Sequence, residues 1–266
     1  MVAGEGKSVY EALRDALRAE EPVALATVTA GLNLGAKLLV RPDGTAIGSL
    51  GDPDLDRVAA RDARGELEAG LTSIRHYGAH GEAREDTVAV FIESFAPPPR
   101  MVIFGAVDFT RALASIAKVL GYRVVVCDAR AVFATRQRFP MADDVVNEWP
   151  NRYLEKIGDE LGPRDAVCVL THDSKFDVPA IVGSLATRVG YLGAMGSRTT
   201  HAKRTERLRE AGVTDGQLGR IHAPIGLDIG ARTPEETAVS ICAEIIGHRT
   251  GRQARALRDG EGPIHS

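Results

Sequence analysis

The first hundred residues alternate between a helical and a strand-like spacing of apolar positions. Ser8 precedes Val9, Ala12, Leu13, Ala16 and Leu17 at helical spacing, with Glu11 three residues on, which predicts a helix opened by a capping box. Apolar runs over 22–29, 36–40 and 45–47 predict strands, the last two joined by the hairpin signal Pro42-Asp43-Gly44. The stretch 55–71, dense in Ala, Arg and Glu, predicts a helix, and 87–95 returns to strand. Pro97, Pro98 and Pro99 can neither continue a helix nor sit inside a sheet, so they predict a short stiff connector and a domain boundary.

Beyond the prolines, strand and helix patterns alternate, the signature of parallel βαβ units. Strands are predicted over 101–104, 123–127, 145–149, 166–171, 189–192 and 221–223. Helices are predicted over 110–120, 152–161, 178–187, 199–211 and 234–250. The last helix has Thr233 as N-cap, Pro234 at its first position and Glu236 at its third. The tail from Gly251, rich in Arg and Gly, reads as a frayed end. The expected architecture is α/β: a Rossmann-like parallel-sheet domain over 101–266 behind a smaller α+β domain over 1–96.

Composition narrows the function. With 266 residues, 44% apolar and 26% charged, the chain can bury cores without disulfide or metal staples. A net charge of -3 offers no basic field for nucleic acid and no polybasic membrane patch. Cys127, Cys168 and Cys242 lie far apart in apolar runs, which predicts small buried side chains rather than disulfides or zinc ligands. His76, His80, His201, His222, His248 and His265 are scattered, with no Cys at metal spacing. No basic segment leads into an apolar one at the N-terminus, and no apolar stretch nears the ~18 residues that span a bilayer, so a cytoplasmic location is expected.

Four loops between strand and helix patterns could carry chemistry, since ligands of open parallel sheets sit at strand C-termini. In the first, Gly105 opens a dinucleotide-like turn with Ala106, but Val107 and Thr110 stand where the fingerprint has its other two glycines. The next strand ends in Asp128, 23 residues after Gly105, where an acidic residue usually meets a ribose hydroxyl. The second loop holds Thr171, His172, Asp173 and Asp177; His172 could move a proton or donate to a ligand, and Asp173 could equally be a helix cap. In the third, Gly193 and Gly196 allow close backbone approach, Ser197 is a candidate N-cap and Arg198 offers a fork to an anion. The fourth, residues 223–230, is apolar and punctuated by Gly226 and Gly230, with one carboxylate, Asp228.

Several of these segments together resemble one family, the xanthine dehydrogenase accessory proteins of the XdhC/CoxI type. The resemblance rests on residues 120–130, including Asp128 and Arg130, and on 138–140, 171–173, 191–198, 223–230 and 233–238, all in the family's order. The N-terminal part resembles the family's other domain more loosely, through residues 26–28, 35–40 and 48–49. The resemblance implies a molybdenum cofactor (molybdopterin) chaperone rather than an oxidoreductase. Such a protein protects the cofactor while its terminal sulfur is installed and hands it to a xanthine dehydrogenase- or carbon monoxide dehydrogenase-type enzyme. Implied partners are the molybdo-hydroxylase apoenzyme and a cysteine desulfurase; a second copy of the chain, as a homodimer, is a further candidate partner on which the sequence itself is silent. Implied cofactor-binding positions are Gly105, Ala106, Asp128, Arg130, His172, Asp173, Gly193, Gly196, Ser197, Arg198, Gly226 and Asp228.

The chain resembles a divergent member. The family's Gly-Ala-Gly-His reads Gly105-Ala106-Val107-Asp108 here, its Gly-Ser-Ser-Pro-Arg is replaced near Gly31-Leu32-Asn33-Leu34, and its Gly-Gly-Cys motif by residues 52–56. Two other readings stand beside it: a non-catalytic Rossmann-like nucleotide-binding or assembly protein, and an NAD(P)-dependent oxidoreductase, against which Val107 argues.

Overall fold

The structure is a computed structural model that describes residues 8–83 and 85–259; residues 260–266 of the predicted tail, His265 among them, lie outside the described residues. The chain divides into two compact units, Met1–Pro97 and Pro98–Ser266.

In the first unit, α1 (Val9–Arg18) opens with the predicted capping box: Glu11 N–H donates to Ser8 Oγ at 3.2 Å, and Ser8 N–H donates back to Glu11 Oε2 at 3.0 Å. Five strands follow the order β3-β2-β1-β5-β4, all antiparallel: β1 (Val23–Ala30), β2 (Lys37–Val40), β3 (Ala46–Ser49), β4 (Ser73–Tyr77) and β5 (Val88–Phe95). Helix α2 (Pro53–Ala69) starts at Asp52, which accepts the Asp54 and Leu55 N–H groups, and stops at left-handed Gly70.

Period-two alternation in β1 distributes the core to both faces. Val23 and Leu25 pack with Ala12 and Ala16 of α1, whereas Ala24, Ala26 and Val28 pack with Leu55, Ala59, Ala63 and Leu67 of α2. Strand β4 is not among the predicted elements. Its sequence, Ser73-Ile74-Arg75-His76-Tyr77, has no apolar alternation because it is a mostly exposed edge strand, paired among the described residues to β5 on one side.

The second unit is a six-stranded parallel sheet in the order β11-β10-β9-β6-β7-β8. Its first half runs β6 (Arg100–Phe104), α3 (Asp108–Val119), β7 (Arg123–Cys127), β8 (Asp144–Val146) and α4 (Pro150–Ile157). The second half runs β9 (Ala166–Val169), α5 (Ser174–Leu185), β10 (Tyr191–Ala194), α6 (Arg198–Glu210), α7 (Asp215–Leu218), β11 (Ile221–His222) and α8 (Pro234–Thr250). In order of appearance this is the doubly wound arrangement 3-2-1-4-5-6, reversing between β6 and β9.

Again each strand feeds two cores. Met101 and Ile103 join Leu113 of α3 and Ile241 and Ile245 of α8, while Val102 and Phe104 join Leu154 of α4 and Ile181 of α5. The strand predicted over 145–149 ends at Val146, because Trp149 is the N-cap of α4 and Pro150 its first residue. Helix α5 begins four residues before its predicted start, at the cap formed when Lys175 N–H donates to Asp173 at 3.1 Å. Among the described residues no helix is long and apolar enough to cross a membrane.

Candidate functional site

The reversal between β6 and β9 brings the first two candidate loops together. Gly105 leaves β6 at φ +109°, and a Cβ there would lie 2.9 Å from Thr171 Cγ2 and 3.0 Å from Thr171 N. Only glycine fits both the backbone and the space. At the start of α3, Thr110 Oγ1 accepts the Val107 N–H at 3.3 Å and donates to the Gly105 carbonyl.

Asp128 sits buried at the end of β7 and is fully engaged by the protein. It accepts the Ala106 N–H at 2.8 Å, the Arg130 N–H at 2.9 Å, and Arg130 Nε and Nη2 at 2.9 and 2.7 Å. Burial raises its carboxyl, but the Arg130 side chain and the two backbone N–H groups outweigh that and hold it below its ordinary value. The amide that would face a pyrophosphate, and the carboxylate that would face a ribose, therefore bond to each other. Arg138 closes the same loop from the side, donating to the Ala106 and Phe133 carbonyls at 3.1 and 3.3 Å.

At the end of β9, His172 and Asp173 are exposed, with Asp173 capping α5. Behind them lies a buried pair in which Arg204 is outside the predicted positions. Arg204 of α6 donates through Nη2 to Asp177 at 2.8 Å and to the Met195 carbonyl at 2.7 Å, and through Nε to Asp177 at 3.2 Å. Thr171 Oγ1 also donates to Asp177. Burial pushes the Asp177 carboxyl up, against the pull of Thr171 and Arg204. Two atoms here are buried with no hydrogen-bond partner among the described residues, Arg204 Nη1 and His201 Nδ1, which lie on the same helix three residues apart. Burial, then Arg204, holds His201 below its ordinary value, so it stays neutral at pH 7. The signal for Arg204 in the sequence is its place four residues before buried Leu208, a charge on the face that α6 buries.

The third and fourth loops meet over β10. Gly193 lies inside that strand, and a Cβ there would reach 2.6 Å from Ile225 Cγ1 and 2.8 Å from Tyr191 Oη, so the space beside it is filled by the neighbouring loop. Ser197 caps α6 by accepting the Thr200 N–H at 3.1 Å, Gly196 turns at φ +145°, and Arg198 and Asp228 are exposed. Gly226 N–H donates to Glu244 Oε2 at 2.8 Å, which also accepts from Tyr191 Oη at 2.5 Å, while His222 Nδ1 lies 3.5 Å from Glu244 Oε1. Burial raises Glu244, but His222, Tyr191 and the Gly226 N–H together hold it below its ordinary value.

The three cysteines are free and buried, as predicted. Burial pushes Cys127 up to about 12 and Cys242 to about 11, and raises Cys168 as well. The structure thus unites Gly105, Ala106, Asp128 and Arg130 in one network and draws Gly193 and Gly226 into a second. Among the described residues no group of three His, Cys, Asp or Glu side chains could hold a metal ion.

Known proteins share this plan. Residues 101–245 match the XdhC Rossmann domain, and residues 16–78 match the XdhC and CoxI family. A protein of Bacillus subtilis described as a probable subunit of xanthine dehydrogenase is 35% identical over 165 residues, covering 62% of this chain and 47% of its own length. The molybdenum cofactor insertion chaperone PaoD of Escherichia coli is 28% identical over 159 residues, covering 60% and 43%. An uncharacterized Escherichia coli protein, YqeB, is 29% identical over 253 residues, covering 87% and 46%. The chain therefore spans under half the length of these relatives. In fold it is similar to a crystal structure from Bacillus halodurans described as a xanthine dehydrogenase, with a TM-score of 0.54 at 22% identity over 94% of this chain and 98% of the other. With more than half of its residues matched by the Rossmann-domain model, this chain belongs to the XdhC and CoxI family.

Proposed function

We propose that this chain is a molybdenum-cofactor-binding accessory protein. In this reading it shelters the cofactor while a cysteine desulfurase supplies sulfur. It then delivers the cofactor to a molybdo-hydroxylase of the xanthine dehydrogenase or carbon monoxide dehydrogenase type, working in the cytoplasm as a homodimer. The family supports it, as do relatives named for cofactor insertion and for xanthine dehydrogenase.

The observation that carries the reading is how polar groups are divided along the strand ends. On the β6 side Asp128 takes the Ala106 N–H, so a dinucleotide pyrophosphate loses its usual donor. On the β10–α6 side Arg204, whose guanidinium bonds the Met195 carbonyl beside Gly196, keeps a buried Nη1 with no partner among the described residues, as does His201 Nδ1 three residues earlier on α6. Buried polar groups ordinarily find one. A phosphate monoester, such as the one molybdopterin carries, supplies the acceptor oxygens an unpaired guanidinium takes. Arg204, Ser197, Arg198 and the first N–H groups of α6 would hold that phosphate, and the chain's own part is to bind, orient and exclude water. The bound cofactor is cargo, its redox chemistry belonging to the enzyme that receives it.

The test is retention. Cofactor released from a molybdoenzyme is expected to stay with the purified chain through desalting, with pterin and molybdenum in equal amounts. The variant Arg198→Ala is expected to retain several-fold less. If no pterin is retained, and deleting the gene leaves molybdo-hydroxylase activity unchanged, the proposal is wrong.

A further inference from the structure

The C-terminal ends of β7, β8 and β9 bring together a row of aromatic and cationic side chains. Trp149 packs on Phe176 with ring centroids 5.0 Å apart at 46°. The Arg130 guanidinium carbon lies 4.6 Å from the Phe133 ring and 5.7 Å from the Phe176 ring, and that of Arg138 lies 5.5 Å from Phe133. Lys175 Nζ stands 4.9 Å from Phe176 and 3.3 Å from Asp173. Phe176 is buried, but Trp149 and Phe133 keep 43% and 40% of their surface open.

Two properties separate this row from a solvated charge cluster. Arg130 is held by its bonds to Asp128, so its plane costs little to order when something stacks on it. The large rings that remain open stand at the strand C-termini, where parallel sheets take ligands. Aromatic faces and guanidinium planes together bind flat heteroaromatic rings, as nucleic-acid-binding proteins hold bases. Lys175 and Asp173 add a donor and an acceptor for the amide edge of such a ring.

We infer that Arg130, Phe133, Trp149 and Phe176 form a stacking seat for a planar fused heterocycle of the pterin class. The inference rests on the accessory-protein reading and adds to it the place where the ring, as distinct from the phosphate, is held.

Trp149 is the chain's single tryptophan and reports on its own site. The full chain would be titrated with neopterin, a pterin without metal or phosphate, while Trp149 emission and neopterin anisotropy are followed. Saturable quenching is expected. Phe133→Ala and Trp149→Ala should each weaken binding about tenfold by anisotropy, whereas Trp149→Phe should abolish the quenching and keep the affinity. Phe133→Leu, which preserves apolar volume, guards against a folding defect and should still weaken binding. Unsaturable quenching, or unchanged affinity in Phe133→Ala and Trp149→Ala, overturns the inference. So does a result in which both variants bind neopterin normally but no longer capture a molybdoenzyme, which would make the row a protein-docking surface. If released cofactor binds wild type and both variants equally, the ring seat falls and the accessory reading stands. If neopterin stacks as expected but released cofactor is not retained, the seat stands and the accessory reading falls.

Discussion

The Ala106 N–H donates to the Asp128 carboxylate at 2.8 Å, joining the two positions that a dinucleotide-binding domain keeps free for its ligand. Asp128→Ala would leave that N–H without its acceptor and release Arg130. A loss of about 2–3 kcal/mol in urea unfolding is expected. NADH fluorescence should not change on adding wild-type protein, even at millimolar ligand. Tight NADH binding would show that the pair opens readily.

The buried Arg204–Asp177 pair makes a sharper demand. Arg204→Met leaves a buried carboxylate without its partner and is expected to cost about 3–5 kcal/mol, measured by denaturant melts. Combining it with Asp177→Leu should recover most of the loss. A double variant as unstable as the single one would mean that the pair contributes more than mutual neutralisation.

Glu244 predicts a pH dependence. Its folded value lies below its unfolded one, so its contribution is fully present above about pH 4.3 and is lost as pH falls through the folded value. Glu244→Gln should cost about 1–2 kcal/mol at pH 7. The gap between wild type and variant should narrow as urea melts are moved from pH 6 towards about pH 3. A constant gap would remove Glu244 ionisation as its cause.

Gly193→Ala would drive a methyl group into Ile225 and is expected to destabilise by about 1–3 kcal/mol. With Ile225→Ala in the same chain, the combined loss should be less than the sum of the two, as read from a thermodynamic cycle. Strict additivity would argue that the loop lifts away from the strand at no cost.

Buried thiols with raised values should be inert. Ellman's reagent is expected to modify Cys127, Cys168 and Cys242 only at the rate of unfolding. Fast labelling of one of them in native protein would identify local opening around it.

Much of the fold is legible because the chain states it locally. The capping boxes at Ser8 and Thr233, the apolar runs of the parallel strands and the alternation of strand with helix all act within a few residues. Strand β4 is not legible, since an exposed edge such as Ser73-Ile74-Arg75-His76-Tyr77 needs no apolar face. The candidate loops can be found, but not what their residues bond to. Ala106 and Asp128 are 22 residues apart, Asp177 and Arg204 are 27 apart, and Gly226 and Glu244 are 18 apart. Each partnership exists only once the sheet order has brought its members together. Gly193 illustrates the ambiguity: a glycine that permits close approach says nothing of who approaches, and here it is Ile225.

Helix α8 has a consequence for how the protein is made. Ala238, Ile241, Cys242 and Ile245 cover the same face of the parallel sheet as α3 and complete the core around Met101 and Ile103. Strand β6, which carries both, is synthesised more than a hundred residues earlier. A nascent chain therefore carries part of that sheet face, the part α3 does not cover, open until residues 234–250 clear the ribosome. Through that interval its apolar strands are open to association with other chains.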